Sequence, residues 1–446
     1  MMPTSTDPGT NASPLDVAGA SRSATWRWYI CVLLLLATVV NYMDRLTTNS
    51  LAKEIKTEFR LDNEQYGDLE LGFGVAFAVG SLFFGWAADR IGVYWLYPAV
   101  LVGWSAMGFL TGLSRDFSEL WMLRVLLGFF ESGHFPCGLM TIQQLLAPRD
   151  RAMGSSLLQS GTALGAVLAP QAIKLFMTEG IAGWRRPFLV IGASGTAWVV
   201  LWFCSMRPRD LRPRPSTDPA PAPTAPPRVV AAARGEPEET FDRTFLQVVA
   251  SRRFLALAIM VVCVNLNWHF FRVWLPLYLR DVRNYDRDAA LNFSTFYYMA
   301  ADLGVLVAGA FSGYLARRGL SVFASRMWVF GGCCLLTTLT TAAAFLPSGP
   351  WLLGALLLVG FGGLGTFAAY YSMTQDLSRR HQGKVSGGLA TITWLTTAPF
   401  HKYFGRYLDE TKDYNLALGL VGWMPMIALV AVLLLWNRGR GTEDRT

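Results

Sequence analysis

Five charged residues stand where an apolar chain makes charge expensive. Arg45 follows Asp44 at the end of Trp28 to Val40, a run that is apolar at nearly every position. Arg272 lies in Asn267-Trp268-His269-Phe270-Phe271-Arg272-Val273-Trp274-Leu275-Pro276. Arg124 and Glu131 are seven residues apart, which is two turns along one helical face. A charge held at mid-bilayer costs roughly 2.5–3.5 kcal/mol on insertion scales, so each needs a partner or a water-filled cavity. The chemistry such groups offer is specific. A guanidinium grips a carboxylate or phosphate with two parallel N–H donors. A carboxyl that is costly when ionised is a candidate proton carrier. Two plainer readings stand beside these: a helix that ends at the interface after Asp44-Arg45, and an ion pair at Arg124 and Glu131 that only holds the fold.

These residues are carried by a chain built for the membrane. The sequence has 446 residues, 52% hydrophobic and 16% charged, with mean hydropathy +0.33. Apolar segments of spanning length recur at 27–46, 65–88, 93–113, 119–142, 152–178, 187–206, 254–279, 290–316, 322–346, 350–374, 384–406 and 415–437. The expected fold is all-α and integral to the membrane, with twelve transmembrane helices in two six-helix halves, 27–206 and 254–437. Between them, 207–253 holds Pro208, Pro213, Pro215, Pro219, Pro221, Pro223, Pro226 and Pro227 and reads as a linker. Residues 1–26 read as a disordered tail, and 438–446 as a second tail. Lys and Arg favour the side of the N-terminus, with nine in the linker alone. This bias places both tails and the linker in the cytoplasm. At 1.5 Å per residue Arg124 lies roughly 8 Å inside the outer end of its span and Glu131 roughly 18 Å, near mid-bilayer.

The net charge of +8 is spread between apolar runs, a membrane-topology pattern that does not indicate nucleic acid. Six cysteines lie inside apolar runs and four histidines form no cluster, so neither a metal nor a disulfide framework is expected. No cofactor is expected either. Gly383-Lys384-Val385 lacks the hydroxyl residue and upstream glycine of a phosphate loop. Gly161-x-x-x-Gly165 suits close helix packing. No nucleophile stands beside a base, so the chain is not read as an enzyme.

The halves repeat. Gly85-Trp86-Ala87-Ala88-Asp89-Arg90-Ile91-Gly92 follows the second span, and Gly313-Tyr314-Leu315-Ala316-Arg317-Arg318-Gly319 follows the eighth, 228 residues later. Pro170 and Pro399 are 229 apart, and Arg45 and Arg272 are 227 apart. A near-constant offset marks parallel repeats about a pseudo-two-fold axis along the membrane normal, with a substrate site between the halves. Two arginines would then face each other across that site. Asp44 has no twin, because Phe271 takes its place.

Gly85…Asp89-Arg90…Gly92 resembles the cytoplasmic loop signature of the major facilitator superfamily, and Arg124-x-x-x-Gly128 resembles its fourth-helix motif. Within that superfamily the chain is most similar to the anion:cation symporters, which include hexuronate, galactonate and related sugar-acid carriers. The stretches that carry the resemblance are Asn41 to Arg45, Arg124 to Pro136, Gln159 to Pro170 and Gly183 to Phe188. It implies proton-coupled uptake, with Asp44 and Glu131 titrating and the arginines Arg45, Arg124 and Arg272 holding the substrate carboxylate. It also implies that Tyr42, Gln159, His269, Tyr370 and Trp394 line the cavity. Two departures lie in the loop: Val93-Tyr94 follow Gly92 where basic residues are usual, and Arg317 replaces the acid in the second copy.

The expected function is a secondary transporter, a symporter of a small organic anion with protons, the anion being a sugar acid such as a hexuronate or aldonate. The expected setting is the lipid bilayer of a bacterial inner membrane, and the expected state is a monomer. An organophosphate/phosphate exchanger would also use paired arginines, but needs no titrating acids. A transporter-like sensor would bind without accumulating ligand.

Overall fold

The computed structural model describes residues 23–146, 150–211, 245–377 and 382–436. Most of the proline-rich linker (212–244), residues 1–22 of the first tail and the whole second tail lie outside the described residues. Twelve long helical spans run through the described chain. The first half comprises Ala24–Ser50, Asn63–Ile91, Val93–Thr111, Phe117–Leu145, Arg151–Phe176 and Arg185–Ser205. The second comprises Arg252–Val282, Arg287–Arg317, Val322–Phe345, Pro350–Leu377, Gln382–Thr411 and Tyr414–Leu435. Ten of these are long and apolar enough to cross a membrane. The fifth and eleventh have the length, 26 and 30 residues, but carry Ser, Thr, Gln and Lys along it. They hold equivalent places in the two halves, and both lie at the seam: the eleventh packs on the second and the fifth on the eighth. Large apolar side chains such as Leu82, Leu306, Phe345 and Trp351 stand exposed on the outer surface, as a bilayer-facing belt requires.

Local chemistry sets the ends. Asp62 accepts from the Gln65 N–H, and the Gln65 side chain accepts from the Asp62 N–H, a reciprocal cap that starts the second span. The first helix begins at Ala24, inside what the sequence reads as tail, because the Ser23 hydroxyl accepts from the Trp26 N–H. The fourth span is two helices, Phe117–Glu131 and His134–Leu145. Pro136 explains the break: it has no N–H for the Ser132 carbonyl, and its ring crowds that carbonyl. Glu131 is thus the last residue before a gap in the backbone ladder.

The halves meet at the end opposite the termini. Lys53 pairs with Asp281 at 2.7 Å and Arg280 with Glu54 at 2.6 Å. Lys53 and Arg280 are 227 apart, as are Glu54 and Asp281, so the repeat makes the same exchange twice across its axis. Asp409, on the eleventh span, accepts from Asn63 N–H, Asn63 Nδ2 and Glu64 N–H at 2.7–3.0 Å, an anion seated on the exposed donors of a helix N-terminus. Arg406 forks onto Glu64 at 2.9 and 2.7 Å. Lys174 and Gln171 reach Asn292 and Thr295 at 2.9 and 2.8 Å. Along the second and eleventh spans contact continues from Gly405 and Asn63 through Gly67 and His401 to Gly74 with Ala398 and Trp394. Farther toward the termini, Gly85, Gly387 and Gly388 face open space. Among the described residues, the hydrogen bonds and ion pairs that join the halves lie at the end opposite the termini and at the buried cluster next to it.

Candidate functional site

Where the seam ends, a buried charged cluster begins. Arg45 donates from Nε and Nη2 to one oxygen of Glu131, Oε2, at 2.9 and 2.6 Å. The second Glu131 oxygen has no hydrogen-bond partner. The Arg45 guanidinium lies over the rings of Tyr42, Phe73 and Phe77 at 5.1–5.4 Å, within the range of cation–π attraction.

A second group joins the two halves. Glu70, on the second span and fully buried, takes Arg124 Nη2 on Oε1 at 2.6 Å and Arg272 Nη2 on Oε2 at 3.0 Å. Arg124 comes from its own half and Arg272 from the other. Arg124 also donates to Thr48 at 3.3 Å and stacks on Phe73 at 4.7 Å, so Phe73 lies against both Arg45 and Arg124. Arg272 is the least committed of the three: it is buried, yet Nε and Nη1 have no partner. Its Nη2 is also 3.2 Å from His269 Nδ1. An arginine only donates, so His269 accepts there and is the neutral tautomer protonated at Nε2. His401 accepts from Trp274 Nε1 at 3.1 Å and is neutral by the same logic. The Trp394 ring closes the floor between the halves, 4.8 Å from Phe77, 5.7 Å from Phe73 and 5.0 Å from His269.

The arrangement gathers three buried arginines whose guanidinium groups are paired with internal carboxylates. The sequence profile of the Major Facilitator Superfamily matches residues 34–400. The chain belongs to that superfamily. It is 24% identical over 434 residues to a probable galactarate/D-glucarate transporter GudP of Bacillus subtilis (strain 168), with 94% of each chain covered. It is 23% identical over 432 residues to a hexuronate transporter of Escherichia coli (strain K12), covering 92% of this chain and 93% of that protein. In structure it resembles a bacterial homolog of the human lysosomal transporter Spinster, solved inward-facing and unoccupied. There the TM-score is 0.71 at 19% identity, over 93% of this chain and 96% of that one. This major facilitator chain is therefore a multi-pass membrane transporter and not an enzyme.

Against that family frame, Tyr42, Arg45, Arg124, Glu131, His269, Arg272 and Trp394 come together around the seam. Three other expected site residues stand apart from that cluster. Asp44 does not help to neutralise Arg45. Its carboxyl points into the first half, 2.9 Å from where a Cβ on Gly108 would sit, and neither oxygen has a partner. Successive helical residues point about 100° apart, and here Arg45 takes the direction of Glu131 while Asp44 takes that of Gly108. Tyr370 packs inside the core of the second half against Phe367 and Tyr371, and Tyr371 is the exposed member of the pair. Gln159 stands exposed on the fifth span, while Gly161 and Gly165 of that span press against Thr38, Val39 and Tyr42. Of the loop motif, Arg90 lies over Trp86 at 5.2 Å and Gly92 has φ +83°; the Asp89 side chain lies outside the described residues. The cysteines are free, and Cys204 is exposed rather than buried.

Glu70 was not visible as a site residue in sequence. Six residues after Glu64 and two after Asp68, it reads as one more charge of the span's outer end. The available signal is spacing: Glu70, Phe73 and Phe77 fall at i, i+3 and i+7, one helical face, and that face meets all three arginines.

Proposed function

We propose that this protein imports a sugar acid together with protons by alternating access, in a bacterial inner membrane with both termini and the linker on the cytoplasmic side. The observation that carries this reading is Arg272. A buried guanidinium with two unengaged nitrogens is costly, and an incoming carboxylate relieves that cost. The names of the relatives, carriers of hexuronates and of galactarate, supply the substrate class. The end at which ion pairs join the halves then faces outward, so the described state is read as the one that releases cargo inward.

In this scheme Tyr42, Arg45, Arg124, His269, Arg272 and Trp394 bind substrate, and Glu131 is the principal proton carrier. Ionised, Glu131 occupies Arg45; protonated, it no longer competes, and the arginine is free for the substrate carboxylate. Substrate and proton thus favour the same arrangement, which is what coupling requires. Asp44, buried and without a donor, is the second proton-carrying carboxyl. The fifth and eleventh spans, polar along the seam, slide against the eighth and second as the halves rock.

The experiment is uptake by proteoliposomes of glucuronate, galactonate, galactarate and sugar phosphates, with and without an inward-acid pH gradient. Accumulation of a sugar acid that collapses with the gradient supports the reading. Gradient-independent exchange of a sugar phosphate for phosphate would replace it with an exchanger.

A further inference from the structure

Asp302 is a carboxyl at the midpoint of the eighth span, Arg287–Arg317, outside the buried cluster. It is half-buried and makes no hydrogen bond or ion pair among the described residues. An unpaired acid at that depth must look into water, and the helix sets where it looks. At about 100° per residue Asp302 falls between Thr295 and Tyr298, about 20° from the first and about 40° from the second. Thr295 meets Gln171 of the fifth span, and the Tyr298 ring packs edge-on against Trp268 of the seventh at 6.1 Å. Asp302 therefore points between the fifth and seventh spans, where the two halves face each other. Gly309, seven residues on and on the same face, has open space beside it. The repeat counterpart of Asp302, 228 residues earlier, is Gly74, where a Cβ would lie 2.5 Å from the Ala398 side chain. The first half fills that position with no side chain at all, so the fold does not call for an acid at it.

We propose that Asp302 receives the hydroxyl groups of the cargo, so that the site reads a polyhydroxylated acid and not merely a carboxylate. This rests on the sugar-acid reading above and deepens it. A hydroxyl buried without an acceptor is costly, and the cluster is poor in acceptors. Its arginines only donate. His269 and His401 accept at Nδ1 from Arg272 and Trp274, which leaves each only an N–H to offer. Both Glu70 oxygens are held by arginines, and Asp44 lies against Gly108. In the coupled scheme Glu131 is protonated when cargo binds. Asp302 is the carboxylate that remains, and its two oxygens can accept from two neighbouring hydroxyls at once. The spacing suits such a cargo. The contact of Trp268 with Tyr298 sets a common level for the antiparallel seventh and eighth spans. Arg272 lies four residues beyond that level in one direction and Asp302 four in the other, an offset of about 12 Å at 1.5 Å per residue. A hydrogen bond of about 2.8 Å at each end leaves roughly 6 Å, the reach of a six-carbon acid from its carboxylate to its far hydroxyls.

The test is competition binding to the full-length protein at pH 7.5, with glucuronate and cyclohexanecarboxylate as probes. The second is a six-membered-ring acid without hydroxyls. The parent protein should prefer glucuronate at least tenfold. Asp302→Leu, similar in size but without an acceptor, should reduce that preference about tenfold to a hundredfold, through weaker glucuronate binding alone. Asp302→Asn keeps one acceptor oxygen and should fall between the two. An Asp302→Leu protein that weakens both probes alike would make Asp302 structural and overturn the inference, and so would one that keeps the parental preference. A parent that is indifferent, or that favours cyclohexanecarboxylate, overturns it too. If Asp302→Leu does not fold, Asp302→Asn decides: a preference reduced at least threefold upholds the inference, and an unchanged one overturns it. A parent that binds neither probe overturns the sugar-acid reading itself, an outcome distinct from binding both equally.

Discussion

Arg45 places two donors on a single oxygen of Glu131 and leaves the other oxygen bare. A parallel fork would engage both oxygens. The lopsided pair leaves one carboxylate oxygen able to take a proton without displacing the arginine first. Glu131→Gln fixes the neutral form. It should abolish accumulation driven by a pH gradient in proteoliposomes while exchange of labelled for unlabelled substrate continues. Concentrative uptake at the parental level would show that Glu131 is structural.

Arg45 and Arg272, repeat counterparts on the first and seventh spans, should not tolerate lysine. Lysine keeps the charge but cannot fork, and one hydrogen bond to a charged group is worth about 1.5–3 kcal/mol. Arg45→Lys and Arg272→Lys should each weaken substrate binding by about tenfold to a hundredfold. A double-mutant cycle should show the two positions coupled when substrate is present. Parental affinity in either variant removes that arginine from the carboxylate clamp.

The closed end depends on two glycines. A Cβ on Gly67 would lie 2.4 Å from the His401 carbonyl oxygen, and one on Gly405 would lie 2.1 Å from the Asn63 carbonyl oxygen. Neither backbone can yield without parting the second and eleventh spans. Gly67→Ala and Gly405→Ala should destabilise this state by about 1–3 kcal/mol and lengthen spin-label distances between those spans at that end. Gly388→Ala, where a Cβ meets nothing, is the control. Unchanged distances in all three would mean that this contact does not set the closure.

Topology is tested from outside the cell. Protease added to sealed right-side-out vesicles should leave residues 207–253 uncut, and inverted vesicles should be cleaved there. Cutting in the first preparation reverses the orientation and makes the described state open to the exterior.

Much of this protein follows from residue order. Apolar run length marks ten of the spans, because a bilayer accepts only segments that satisfy their own backbone, and the repeat supplies the fifth and eleventh. The constant offset fixes two halves and pairs Arg45 with Arg272, since a duplicated bundle reuses the same helix positions. The break after Glu131 is not part of that reading, which takes 119–142 as one span, although Pro136 supplies its cause. What order cannot supply is the rotation of each helix about its axis and the depth at which helices from distant parts of the chain meet. Asp44 and Arg45 are neighbours in sequence, yet Arg45 meets the Glu131 carboxylate and Asp44 lies against Gly108, because one residue turns the helix by about 100°. Glu70 is separated from Arg124 by 54 positions and from Arg272 by 202, and only its spacing with Phe73 and Phe77 sets it apart from Glu64 and Asp68. Only the packing of the second span against the fourth and seventh brings its carboxylate between two arginines, and that placement joins the two halves at the site.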